Sequence, residues 1–250
     1  MGPAMDLDLN FQTIRYLGDL YNALAEKGMA ISLGNDFKHY VDLRSVQKFR
    51  NPTYPMFDPS RSFANETNGF WIIAKDRDGQ TVHTQAVRFI DLASHDLSTH
   101  INSHPQIYLA HDMDRSQFAD PKFEGARALH TITGTVCYHG DFWLTDTPAY
   151  RGAHYAPFLG RLAFAVAGVI WNPDFMFGIM DSVLANKGVS YRYGYCHCEP
   201  AAWFQDGLRF NKAVVWASRE DIAWLRQQSL QNTVEAGAEL RFSHDDPKQP

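Results

Sequence analysis

At 250 residues and 45% hydrophobic composition, the chain can fill a substantial core and is expected to form one domain. A formal net charge of −5 and a pI near 6.1 give no general pull toward nucleic acid or anionic lipid. No window approaches the run of about 18 apolar residues needed to cross a bilayer, so the expected partner is a small molecule, with neither nucleic acid nor membrane.

Three cysteines, Cys137, Cys196 and Cys198, cannot all pair within the chain. The first residues lack the basic-then-apolar layout of a signal peptide, which makes a reducing cytoplasm the expected compartment.

In chain order, Phe11, Ile14, Leu17, Leu20, Tyr21 and Leu24 recur at helical spacing, with Gly28 placed as a C-terminal cap. A second helix is expected from Asp36, an N-cap type, through Phe37, Tyr40 and Val41, and residues 51–59 as an irregular loop. Gly69–Lys75 and residues 81–90 read as a hairpin closed by Asp78-Gly79. Residues 94–121, rich in His, Asp, Ser and Pro, read as a long loop or lid.

Residues 129–144 read as a long central strand, broken or bulged at Gly134 and Gly140. A turn leads into a helix over 155–171, stopped by Asn172-Pro173. Residues 175–180 read as a buried strand, 182–187 as a brief helix capped by Gly188, 189–198 as a further strand, and 213–217 as the last. A final helix starts at Ser218, which forms a capping-box pattern with Asp221. The expected division is 1–67 as N-terminal helices and irregular loop within the same domain, 68–242 as the α/β core, and 243–250 as a loose tail.

The chemistry is expected at residues 148–156, Pro-Ala-Tyr-Arg-Gly-Ala-His-Tyr-Ala, between a strand and a helix. A helix start presents unpaired backbone N–H groups to an anion. Arg151 adds charge, and the small residues Gly152, Ala153 and Ala156 let a ligand approach the backbone. That is a cradle for a diphosphate.

With Pro148, Tyr150, Arg151, Gly152 and Ala156, this turn resembles the phosphate turn of the GNAT acyl-CoA N-acyltransferases, and the element order over roughly residues 68–217 is similar to theirs. His154 stands where that pattern has a glycine. The resemblance implies a splayed mixed β-sheet flanked by helices, with acyl-CoA (acetyl-CoA or longer) as cosubstrate. It implies that the cofactor lies along Phe142, Trp143 and Leu144 and over Arg151, Gly152, Ala153, His154, Tyr155 and Ala156.

The implied reaction is direct attack of a small-molecule amine or amino acid on the acyl group. Family members often place a proton-donating Tyr in the short helix, but this chain has Val183-Leu184-Ala185-Asn186 there. The remaining candidates are Tyr193 and Tyr195 as donors, with His139 and Asp141, and less so Glu199, as bases. A narrower resemblance, through Arg50, Phe57-Asp58, the hairpin and Arg88, is to acyl-homoserine-lactone and long-chain N-acyl amino acid synthases, which take acyl groups from acyl carrier protein. The chain reads Val87-Arg88-Phe89-Ile90-Asp91 where that branch has Arg-Leu-Leu-Pro-Thr. A GNAT-shaped sensor module without turnover is the alternative.

No metal is expected. On a strand, Cys196 and Cys198 would share one face and His197 the other, and Pro105 interrupts the series His95, His100, His104, His111. Neither a Gly-x-Ser-x-Gly elbow nor a P-loop is present.

Overall fold

The computed structural model describes residues 7–46, 52–109, 121–150, 155–205 and 207–228. Helix α1, Leu7–Glu26, buries Tyr16, Leu20 and Leu24, and the chain leaves it through Gly28 at φ 85°. Phe11, Ile14 and Tyr21 stay exposed, so the helix buries only part of the apolar stripe seen in the sequence. Strand β1, Ala30–Gly34, follows, and then α2, Phe37–Val46, capped by Asp36 Oδ1 accepting from the N–H of Lys38 at 3.0 Å and of His39 at 3.1 Å.

Strands β2, Gly69–Lys75, and β3, Thr81–Asp91, form the expected hairpin. Residues 94–109 are not a loop throughout: α3, Leu97–Ser103, is capped by Asp96, and α4, Pro105–Tyr108, begins at a proline. Leu97 and Ile101, one turn apart, are fully buried, and Pro105 fits the first turn of the next helix rather than breaking one. Residues 110–120, the rest of that expected lid, lie outside the described residues, as does the expected tail.

Strand β4, Lys122–Glu124, and a 3-10 turn, Arg127–His130, precede the central strand β5, Thr135–Leu144. Helix α5, Tyr155–Ile170, strand β6, Phe175–Asp181, and helix α6, Ser182–Asn186, follow as read.

Residues 189–198 differ from the expected strand. Val189–Tyr193 is a helix, α7, set between Gly188 at φ 67° and Gly194 at φ 103°. The alternating Tyr191, Tyr193 and Tyr195 imitates a strand pattern, but the two left-handed glycines close a short helix instead. The strand proper, β7, is His197–Gln205; it pairs with β8, Leu208–Ser218, and α8, Arg219–Gln227, starts from the Ser218/Asp221 capping box.

Among the described residues eight strands form one sheet in the order β1-β2-β3-β5-β6-β8-β7-β4, and every neighbouring pair is antiparallel except β5 with β6. One face carries α1 and α5 over Phe70, Ile72, Val87, Cys137 and Met176. The other carries α2, α3 and α4 over Trp71, Ile73, Tyr138 and Phe177. No helix among the described residues is long and apolar enough to cross a membrane.

Candidate functional site

Strands β5 and β6 pair only over Val136–Tyr138 and residues 175–177. Beyond that, β5 stays with β3 as far as the His83↔Leu144 pair, and β6 stays with β8 as far as Asp181↔Lys212. Each strand keeps its outer ladder, so the two half-sheets part and the facing backbone edges lose their strand partner. A cavity of about 200 Å³ opens there, lined among others by Tyr54, Tyr138, His139, Phe142, Met180 and Tyr195.

The parting coincides with a bulge. Asp141 has φ 52°, and the β3–β5 register slips between Ala86↔Gly140 and Thr84↔Trp143. An inserted residue reverses the inside–outside phase of everything after it. His139 and Phe142 therefore face α5, with ring centroids 6.1 Å apart, while Asp141 turns to the α2 side. There its carboxylate lies 3.7 Å from Arg44 Nε and accepts the N–H of Tyr54 at 3.0 and 3.2 Å. The two expected bases of one strand are thus on opposite faces, and Asp141 ties α2 and the 54–57 turn to the bulge.

On the α5 side a hydrogen-bonded chain runs through the sheet. Gln85 Nε2 donates to the Leu159 carbonyl at 2.7 Å, which leaves Gln85 Oε1 facing His139 Nε2 at 2.8 Å. An amide oxygen can only accept, so the network assigns the imidazole proton to Nε2. Nδ1 is then an acceptor, and the partner 3.0 Å away is the Tyr195 hydroxyl, which must donate. Tyr195 is left with lone pairs alone for anything in the cleft. Burial pushes His139 down to about 3 and the Tyr195 phenol well above its usual range, so both are neutral at physiological pH.

Two glycines make the arrangement possible. A Cβ at Gly178 on β6 would stand 3.0 Å from Tyr195 Oη and 3.1 Å from the His139 carbonyl oxygen. A Cβ at Gly160 on α5 would come 2.4 Å from the Tyr193 carbonyl oxygen, so only glycine lets α5 approach α7 this closely. That approach seats Tyr193, whose ring stacks on Phe142 with centroids 3.9 Å apart. Burial raises the Tyr193 phenol as well.

Of the residues singled out in the sequence, His139, Asp141, Phe142, Tyr193 and Tyr195 line the cleft, with the Asp141 carboxylate directed to Arg44 and the Tyr54 N–H. Trp143 and Leu144 lie further along β5, opposite Thr84 and His83. Tyr155 and Ala156 open α5, with the Tyr155 hydroxyl donating to the Lys27 carbonyl at 3.2 Å. Arg151, Gly152, Ala153 and His154 lie outside the described residues. Glu199 accepts the Ala128 N–H at 3.0 Å and holds the 3-10 turn. Sequence reasoning missed Gln85, Gly178 and Met180; a buried Gln within the apolar strand 81–90 was the available signal.

Cys196 precedes β7, and His197 is bonded to Asp221 at 3.0 Å and stacked on Trp216. Among the described residues no three His, Cys, Asp or Glu side chains are grouped to hold a metal ion.

A hairpin, a bulged central strand, a helix, and a second strand that runs parallel to the first and then parts from it follow one another as the sequence resemblance implies. The architecture is a mixed sheet splayed between β5 and β6 and flanked by helices. No family model and no curated protein matches the chain in sequence. Among solved structures it is similar to a variant of the spermidine N-acetyltransferase SpeG of Vibrio cholerae, at 8% identity and TM-score 0.43, over 78% of this chain and 96% of that one. The spermidine/spermine N-acetyltransferase SpeG of the same organism, in complex with manganese ions, gives 8%, 0.42, 81% and 98% in the same order. An Acinetobacter baylyi protein assigned as an acetyltransferase gives 14%, 0.40, 76% and 91%.

Proposed function

We propose that the chain is an acyl-CoA-dependent N-acyltransferase that acylates a small amine or amino acid in the cleft between β5 and β6. The observation that carries this reading is the parting of the two strands at a bulge, with the Tyr195 hydroxyl at the cleft as a pure acceptor. A cleft of this kind offers unpaired backbone N–H groups from the bulged strand to an acyl carbonyl oxygen. The N-terminus of α5, at Tyr155 and Ala156, offers its N–H groups to the phosphates. When bound, acyl-CoA supplies an acyl group activated as a thioester.

The protein's own contribution is to admit the amine neutral and aim it. An alkylammonium has a pKa near 10.4, and His139 is held at about 3. Moving a proton from one to the other would cost on the order of 10 kcal/mol. His139 is therefore not the group that deprotonates an ammonium. The apolar walls Phe142, Ile179, Met180 and Val215 disfavour the charged amine instead, and the two carboxylates of the lining, Asp141 and Asp181, face cations of their own, Arg44 and Lys212. Tyr195 Oη, its own proton tied to His139, accepts an amine N–H and directs the nitrogen lone pair away from itself. In this role His139 and Gln85 are positioning residues.

The weak basicity of His139 also favours a second reading, a module that binds the same ligand without turnover. Thiol release from acetyl-CoA and a long-chain acyl-CoA, measured across a panel of amines and amino acids, separates the two. Amine-dependent thiol release with a matching acylated product supports the transferase. Binding without release leaves the sensor.

A further inference from the structure

A second cavity, about 270 Å³, lies on the α2–α4 side of the sheet and is lined by Arg88, His100, His104, Arg61, Phe89 and Ile107 among others. Arg88 projects from β3 and is 7% exposed. Its Nη1 donates to the Met56 carbonyl at 3.0 Å and rests 3.6 Å from the Met56 sulfur, while Nε is buried with no partner. Among the described residues no carboxylate pairs with it. His100, from α3, brings a second buried and unpartnered nitrogen, Nε2, to the same cavity.

A buried guanidinium without a counter-charge costs several kcal/mol of lost hydration. Two such unsatisfied groups, from different elements and lining one hole, point to a missing anion. We propose that this cavity binds a small organic monocarboxylate, held by Arg88 and His100.

The charge balance selects a monoanion. Arg61 already faces Asp58 at 3.5 Å. Burial first, and then the neighbouring His104, Arg88 and His95, push His100 down to about 4, which leaves it neutral. Among the described residues one unpaired positive charge, that of Arg88, remains for the ligand, which suits a carboxylate and leaves a phosphate dianion overcharged. The planar fork of an arginine also matches a carboxylate with paired N–H donors. Phe89, Ile90 and Ile107 supply an apolar wall, and the volume falls just below that of drug-sized pockets, about 300–1,000 Å³. An acid of a few carbons fits both. The cavity is separate from the β5–β6 cleft, and the proposal stands whether or not the acyltransferase reading does.

The test is calorimetric titration of the full chain, at constant ionic strength, with sodium butyrate, n-butanol and inorganic phosphate, together with thermal melts. Saturable binding of butyrate alone, with a rise in Tm, is the expected result. Arg88→Met is expected to fold, because an apolar replacement of a buried charge is often neutral or stabilising, and to lose butyrate affinity by about tenfold or more. Arg88→Lys keeps the charge without the fork and is expected to bind less tightly than the parent; this variant decides the matter if Arg88→Met does not fold. Acetyl-CoA binding should be the same in all three proteins. Phosphate binding equal to butyrate, or butyrate affinity unchanged on replacing Arg88, overturns the proposal.

Discussion

The Tyr195 hydroxyl donates to His139 Nδ1 across 3.0 Å, and this bond fixes the one direction in which Tyr195 can still act, as an acceptor. Removing the hydroxyl tests that role. Tyr195→Phe is expected to lower kcat/KM for the amine by about tenfold to a hundredfold, the range for losing one positioning hydrogen bond, with acyl-CoA affinity nearly unchanged. It should also destabilise the fold by about 1–3 kcal/mol, because His139 Nδ1 is left buried and unpaired. Steady-state kinetics and urea melts check both.

The same burial sets a pH dependence of stability. His139 and His83, both fully enclosed, are each pushed by burial from the usual 6.5 down to about 3. For a histidine depressed in the folded state, the unfolded chain binds the extra proton between the two values. The stabilisation is whole above about 6.5 and is lost as pH falls toward 3. With two such groups the slope approaches about 2.7 kcal/mol per pH unit in the middle of that window. Denaturant melts from pH 7.5 to 4 should show the loss. His139→Phe should flatten the curve by roughly half; an unchanged slope would mean that His139 is not held neutral by burial.

Asp141 is expected to be structural. Asp141→Asn keeps the shape but removes the charge facing Arg44, and breaking a buried pair this way costs about 3–5 kcal/mol. The double change Asp141→Asn with Arg44→Met should recover part of that loss. If Asp141→Asn melts like the parent but loses activity, the carboxylate is a base after all.

Much of the framework was legible because periodicity and turn chemistry agreed. The Asp78-Gly79 hairpin and the Ser218/Asp221 box each combine a hydrophobic pattern with a residue type that the backbone requires. Residues 189–198 were misread because three tyrosines at alternate positions mimic a strand, and only the left-handed Gly188 and Gly194 reveal the helix between them. The site was legible in part. His139 is a candidate for its place on the central strand and Tyr193 and Tyr195 for theirs on an expected strand over 189–198, but the bulge that directs the Asp141 carboxylate to Arg44 depends on pairing with β3. Gln85 and Gly178 act only through partners distant in sequence, Leu159 with His139 and Tyr195 with His139, and no local signal carries such contacts.

The most direct test of the central claim is isothermal titration of acetyl-CoA and free CoA into the parent chain and into Gly178→Val, whose added atoms would meet Tyr195 Oη and the backbone of His139. The account predicts that acetyl-CoA binds the parent and binds the folded variant at least about fivefold more weakly, since overpacking of a tight site costs about 1–3 kcal/mol. No binding of acetyl-CoA to the parent, or equal binding to both, would contradict the assignment of the β5–β6 cleft as the acyl-CoA site.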